Sequence, residues 1–275
     1  MDLSEFHRGF IPLYEGRLSY LHRPGSGPAL VLIPGSYHPA SQWSEVVARL
    51  DPRLHVVLVE TRGSGESWPV PEDGSIEMFA VDVLRVVDEL HLSRFYVGGH
   101  SIGGMIAIEV AELRPENVQG VISIEGWTNA QAAQDAFAGD MVSTLTPELE
   151  ARRLQERKQA LARWNEDQAK RFAQIWRHWD GSRILSTTKV PILEVWGDRG
   201  RPRPSLDRLH IPERKNIQVL WLANASHWLP LERPQELAQA INDFIFQPAA
   251  LLRSGAGRLQ NSRTRPRFAG AAPSP

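Results

Sequence analysis

Short, nearly continuous apolar runs punctuate the chain: ALVLIPG at residues 29–35, HVVLVE at 55–60, FYVGGH at 95–100, VQGVISIEG at 118–126, PILEVWG at 191–197 and IQVLWL at 217–222. They are rich in Val, Ile and Leu and scarcely alternate with polar residues, so they predict strands buried on both faces. Between them the spacing changes. Ile76, Phe79, Ala80, Val83, Val86, Val87 and Leu90 recur at steps of three and one, which predicts a helix over 76–90. Residues 102–113 and 235–246 read as helices in the same way. Strands alternating with helices predict an α/β fold with a parallel sheet covered on both sides. Two earlier segments, GFIPLYEG and RLSYLHRPGSGP, read instead as an antiparallel entry hairpin.

One interval breaks the alternation. Residues 127–189 contain no convincing strand but a long stretch of helix formers carrying Trp164, Trp176 and Trp179. A helical insertion between two sheet strands would sit over the strand ends, where open parallel sheets bind ligands. The expected organisation is a core of residues 1–126 and 190–247 with a helical cap of 127–189. Residues 248–275 carry five arginines, no acid, and many Gly, Ala, Ser and Pro, and are expected to form a disordered tail.

Composition removes several function classes. A net charge of -1 over 275 residues argues against a general nucleic-acid or anionic-membrane surface. The absence of cysteine excludes disulfides, thiolate catalysis and cysteine-ligated zinc. No histidine falls in a metal-binding spacing, and no metal site is expected. The first residues lack a basic region followed by an apolar run, and no segment is long and apolar enough to span a bilayer; a cytoplasmic location is the expectation.

The stretch GGHSIGG carries the chemistry. Gly99-His100-Ser101-Ile102-Gly103 is a G-x-S-x-G placed between a predicted strand and a predicted helix, the context in which this motif lifts a serine oxygen above a sheet. Glycines two residues to either side let the backbones approach closely. A serine nucleophile needs a base. Of nine histidines, His227 in NASHWLPLERP is the best placed, because it follows the last predicted strand and precedes the last predicted helix. His100 occupies a variable position of the turn and reads as a packed residue.

Taken together, the strand order, GGHSIGG, RGSGES at 62–67 and SHWLPLERP resemble the α/β-hydrolase superfamily, over about residues 8–247. The resemblance implies a mostly parallel eight-stranded sheet with helices on both faces, a helical cap inserted after strand 6, and no cofactor. It also implies an oxyanion hole from the backbone N–H groups of Ser36, in LIPGSYH, and of Ile102. Two such donors would stabilise a tetrahedral intermediate more than the ground-state carbonyl. Tyr37, His38, Trp127, Trp176 and Trp179 are the candidate substrate-binding residues.

The third member of a triad is displaced. In the family the acid usually stands three residues after the glycine that ends PILEVWG, and Gly200 occupies that place here. Asp198 is one candidate, although Arg199, Arg201 and Arg203 offer it an ordinary surface salt bridge. Glu125, closing the apolar run VISIE, is favoured, since an ionisable residue there calls for a partner. Haloalkane dehalogenases, zearalenone lactonases and cofactor-independent quinolone-cleaving dioxygenases place their acid at that strand.

The leading reading is a serine hydrolase of a small-molecule ester or lactone. A cofactor-independent ring-cleaving dioxygenase on the same fold is the enzymatic alternative, suggested by His38, His100-Ser101 and the Glu125 position. A hydrolase-like ligand receptor is the non-enzymatic one.

Overall fold

The computed structural model describes residues 3–138 and 143–247. The expected tail at 248–275 lies outside them. Eight strands form one sheet: β1 (His7–Pro12), β2 (Arg17–Arg23), β3 (Ala29–Ile33), β4 (His55–Glu60), β5 (Phe95–His100), β6 (Val118–Ile124), β7 (Ile192–Gly197) and β8 (Ile217–Leu222), in the spatial order β1-β2-β4-β3-β5-β6-β7-β8. β1 and β2 are antiparallel to each other, and β2 is antiparallel to β4; every pairing from β4 to β8 is parallel.

The continuous apolar runs are explained by what covers them. Val31, Val57, Val97, Val121 and Ile192 face one way, against α2 (Ile76–Glu89) and α3 (Ile102–Leu113). Leu30, Leu32, Leu58, Ile122 and Val195 face the other, against α1 (Ser44–Val47) and α9 (Pro234–Phe246). Successive side chains of a strand point to opposite faces, so a sheet packed on both sides needs apolar residues at every position. β8 differs: as the outer strand it is only half-buried along most of its length.

Between β6 and β7 lie α4 (Ala130–Phe137), α5 (Pro147–Leu161), α6 (Glu166–Ile175) and α7 (Ser182–Thr187). Caps define their starts. Asn129 and Thr146 accept hydrogen bonds from the third residue beyond them, and Asn165 forms a reciprocal capping box with Gln168. α5 is unusual in burying an arginine, Arg153, rather than an apolar stripe. A short 3₁₀ turn, Ala40–Trp43, and α1 were not apparent from periodicity, being too brief to display it. Trp43 is nonetheless fully buried and packs with Val46 and Val47 into the α9 side of the core.

The parallel strands all end on one edge. Ser101 follows β5, Glu125 follows β6, and His227 lies in the turn between β8 and α8 (Leu229–Glu232). Three chemical groups far apart in sequence thus lie at the same edge of the sheet, where open parallel sheets bind ligands.

Candidate active site

Ser101 stands in a strained backbone conformation, φ 56° and ψ -122°, between β5 and α3. The turn is tight enough to exclude side chains beside it. A Cβ on Gly99 would come within 2.1 Å of the Gly103 carbonyl oxygen, and one on Gly103 within 2.4 Å of the Ile33 oxygen. The Ser101 N–H donates to the Ile124 carbonyl at 2.8 Å, tying the turn to β6. Ile102 opens α3, so its N–H points out of the helix start with no intrahelical acceptor. Ser36 lies in the turn after β3, next to Tyr37, which also has a positive φ of 63°.

His227 and Glu125 meet in the interior. His227 Nδ1 is 3.2 Å from Glu125 Oε2, and both side chains are almost wholly buried. Glu125 has φ 53°, an unusual value for a non-glycine residue. Its own N–H still donates to Val195 at 2.9 Å, extending the β6–β7 ladder by one rung. Burial alone would raise the Glu125 pKa. The nearby Arg199 charge and hydrogen bonds from His227 and Arg199 outweigh it and hold the carboxyl below its ordinary value.

Asp198 does not reach the histidine. Its Oδ1 accepts from the N–H groups of Gly200, at 2.9 Å, and Asn224, at 2.7 Å, which makes it the brace of its own loop. Arg203 lies 3.9 Å from its other oxygen. The expectation that Arg199 would join that surface cluster is corrected. Arg199 turns inward, is 6 % exposed, and forks onto both Glu125 oxygens at 2.6 and 2.9 Å. Its Cζ sits 3.8 Å from the centroid of the Phe137 ring.

His100 is more than a packed residue. Its Nε2 is 2.7 Å from the His227 carbonyl oxygen, which can only accept, so this nitrogen carries the proton. Nδ1 then accepts from Gln42 Nε2 at 3.1 Å, while Gln42 Oε1 accepts from the Gly35 N–H at 2.8 Å. One chain of hydrogen bonds therefore joins the Ser36 turn, the serine turn and the histidine turn. Burial, and after it the neighbouring His227, push the His100 pKa well down, consistent with a neutral ring.

Aromatic side chains close the site. Trp127 stacks nearly parallel to the His227 ring at 6.2 Å, and Trp228 meets it edge-on at 5.1 Å. Tyr37 packs with Trp164 at 5.4 Å and Phe172 at 5.2 Å. His38 lies 6.1 Å from Trp228 and is 3 % exposed, with no hydrogen-bond partner on Nδ1. Burial, then the charges of Arg153, Arg157 and His227, lower its pKa to about 4. Arg153 reaches over Trp228 from α5, 4.3 Å from the ring.

Of the expected substrate-binding residues, Trp127 is thus brought to His227 and His38 to its neighbour Trp228, whereas Tyr37 packs on Trp164 and Phe172 of the helical insertion. Trp179 is instead tied to α3, its Nε1 donating to Glu109 at 2.7 Å, and Trp176 lies under Arg177 at 4.8 Å. Neither joins the rings around His227 among the described residues. Gln42, Trp228 and Arg153 were not singled out from sequence, and Arg199 only as a surface partner of Asp198. Trp228 adjoins His227 and could have been. Gly200 in the usual place of the acid was the signal that this loop works differently.

Comparisons with known proteins agree with this architecture. Residues 28–178 match the family described as alpha/beta hydrolase fold. The N-formylmaleamate deformylase of Pseudomonas putida is 25% identical over 251 residues, covering 84% of this chain and 94% of that protein. The RutD protein of Pseudomonas syringae, whose name describes a candidate carbamate hydrolase, is 33% identical over 103 residues. That match spans 37% of this chain and only 40% of the relative. Among solved structures, an N-acyl homoserine lactone degrading enzyme superposes with a TM-score of 0.71 at 22% identity, covering 86% of this chain and 100% of that one. The enol-lactonase of Burkholderia xenovorans gives 0.70 at 20% identity, covering 86% and 99%.

Proposed function

The chain belongs to the alpha/beta hydrolase fold family, and from that premise we propose that it hydrolyses a small-molecule ester or lactone through Ser101, His227 and Glu125. The observation that carries the reading is the 3.2 Å contact of Glu125 with His227 Nδ1, taken with a serine held at φ 56° on the strand-to-helix turn at the same edge of the sheet. The carboxylate fixes the imidazole with its proton on Nδ1, leaving Nε2 as the base. Ser101 Oγ attacks the substrate carbonyl carbon and its proton passes to His227 Nε2. The N–H groups of Ser36 and Ile102 stabilise the oxyanion. Collapse breaks the bond to the leaving oxygen, which takes the proton from His227, and an acyl-serine remains. Water then gives a proton to the same nitrogen as it attacks, and the carboxylic acid departs from a restored serine.

The relatives' names, a deformylase and a lactone-degrading enzyme among them, support acyl transfer to water as the reaction class. A graded screen of esters, lactones and N-formyl amides, run on wild type and Ser101→Ala, tests the proposal. Turnover that the substitution lowers by about 10³-fold or more is expected, because nucleophile and base act as a unit. Turnover that survives the substitution rejects the acyl-enzyme.

A second reading is favoured by one specific feature, the neutral and buried His38 facing the His227–Trp228 pair. In a cofactor-independent ring-cleaving dioxygenase, His227 would take a proton from an enol-like heteroaromatic substrate, and the anion would react with oxygen. Oxygen uptake that persists in Ser101→Ala would establish this route over hydrolysis.

A further inference from the structure

The loop after β7 carries glycine where the family's usual acid would stand, yet it still contributes to the candidate triad. Arg199, at φ 55°, and Gly200, at φ 67°, are two consecutive left-handed residues. That twist accompanies an inward-turned Arg199 side chain that reaches Glu125. Its backbone N–H donates to Ala225 at 2.9 Å, so the loop is anchored two residues before His227. Asp198 completes the anchor through the Asn224 N–H at 2.7 Å.

Both terminal nitrogens of the guanidinium are committed, while Nε is buried without a hydrogen-bond partner. Nη2 donates to Glu125 Oε2 at 2.6 Å and Nη1 to Oε1 at 2.9 Å, with the Gly197 carbonyl as a further acceptor of Nη1. The Gly197 N–H is a second donor to Glu125 Oε1, at 2.7 Å. Glu125 Oε2 is shared between Arg199 and His227 Nδ1. Both members of the ion pair are withdrawn from water, at 2 % and 0 % side-chain exposure, and so are poorly screened. A planar fork matched to a carboxylate leaves the acid one orientation.

We infer that Arg199 is a positioning residue of the proposed reaction: it locks Glu125 against His227 and sets a fixed positive charge beside the imidazole–carboxylate pair. The inference rests on the catalytic reading of Ser101, His227 and Glu125. In a triad with an uncompensated acid, the carboxylate charge draws a proton onto the imidazole. Here the guanidinium, no more than about 6 Å from His227 through the shared oxygen, cancels part of that pull. The fork also holds the strained strand end at Glu125 in the working geometry.

Other charged or titratable groups face the pair. They are His100 beneath His227, His38 from the turn after β3, Arg153 from α5 and Glu194 from β7. All are left in place when Arg199 is changed. In Arg199→Gln the charge and the fork are both lost. kcat should fall at least tenfold with KM changed less than threefold, and the acid limb of the kcat/KM profile should move up by about 1–2 pH units. Arg199→Lys keeps the charge without the fork, so the limb should stay while kcat falls several-fold. Guanidinium chloride at low millimolar concentration should restore part of the activity of Arg199→Ala, and sodium chloride of the same ionic strength should not.

A folded Arg199→Gln protein with wild-type kcat and an unmoved limb overturns the inference. If loss of the buried charge prevents folding, Arg199→Lys decides, and wild-type kcat in that variant overturns it. Should wild type turn over no acyl substrate, the function fails separately. Protonation of the imidazole–carboxylate pair, followed by NMR at the His227 ring, then still tests Arg199. A midpoint that does not rise in Arg199→Gln rejects the effect of its charge.

Discussion

Glu194→Gln should stabilise the protein, and increasingly so as the pH rises. Glu194 lies in the middle of β7, opposite Ser123 on β6, and is 1 % exposed. Neither carboxyl oxygen has a hydrogen-bond partner. Burial raises its pKa from 4.5 to about 8; Ser123 and Trp196 oppose the shift in part, and the Glu125 charge adds to it. The native state therefore keeps a proton that the unfolded chain gives up above pH 4.5, so the contribution of this proton to stability is lost as the pH rises from there to about 8. Each pH unit within that window costs about 1.4 kcal/mol. Between pH 5.5 and 7.5 the wild type should lose about 2.7 kcal/mol relative to the glutamine variant, in which nothing titrates at this position. For a chain of this size that is a relative change in Tm of about 5–10 °C. Thermal melts of both proteins across the range, referenced to each other, cancel the titrations they share. Parallel curves would refute the assignment of a neutral carboxylic acid inside the sheet.

Three further outcomes follow from the site. Glu125→Gln should lower kcat by about 10³-fold or more, while Asp198→Asn should cost less than about tenfold, and steady-state kinetics with one ester compares them directly. His38→Asn should gain stability relative to wild type as the pH falls from 6.5 to about 4, because the native ring resists a proton that the unfolded chain accepts; paired acid melts measure this. His100→Phe should reduce kcat and lower stability by about 1–3 kcal/mol, since Gln42 and the His227 carbonyl lose their buried partner, as denaturant titration would show.

The sheet was legible because strands packed on both faces are nearly continuous in apolar residues: 29–33 is apolar throughout, and 95–100 and 118–124 are interrupted only by glycines, His100, Gln119 and Ser123. The short helix at Ser44–Val47 was not, because four residues cannot display a helical period and its place is set by Trp43 packing from outside the helix. At the site, Ser101 announces itself locally, through glycines that only a tight strand-to-helix turn requires. The placement of Glu125 also had a local sign, an acid ending a buried run. The role of Arg199 had none. Its partner is 74 residues away, and three arginines at alternate positions look the same until the backbone twist sends one of them inward. The tie from Gln42 through His100 to His227 was hidden for the same reason. It exists only once three strand ends are side by side.

Ser101 is proposed as a nucleophile activated by His227 and Glu125. The rate of covalent labelling by a fluorophosphonate probe, with the modified peptide located by mass spectrometry, tests it most directly. Rapid, single-site phosphonylation of Ser101 is expected in the wild type, slowed by about 10³-fold in Glu125→Gln and absent in Ser101→Ala. An unlabelled Ser101 in an enzyme that still turns over its substrate would contradict it.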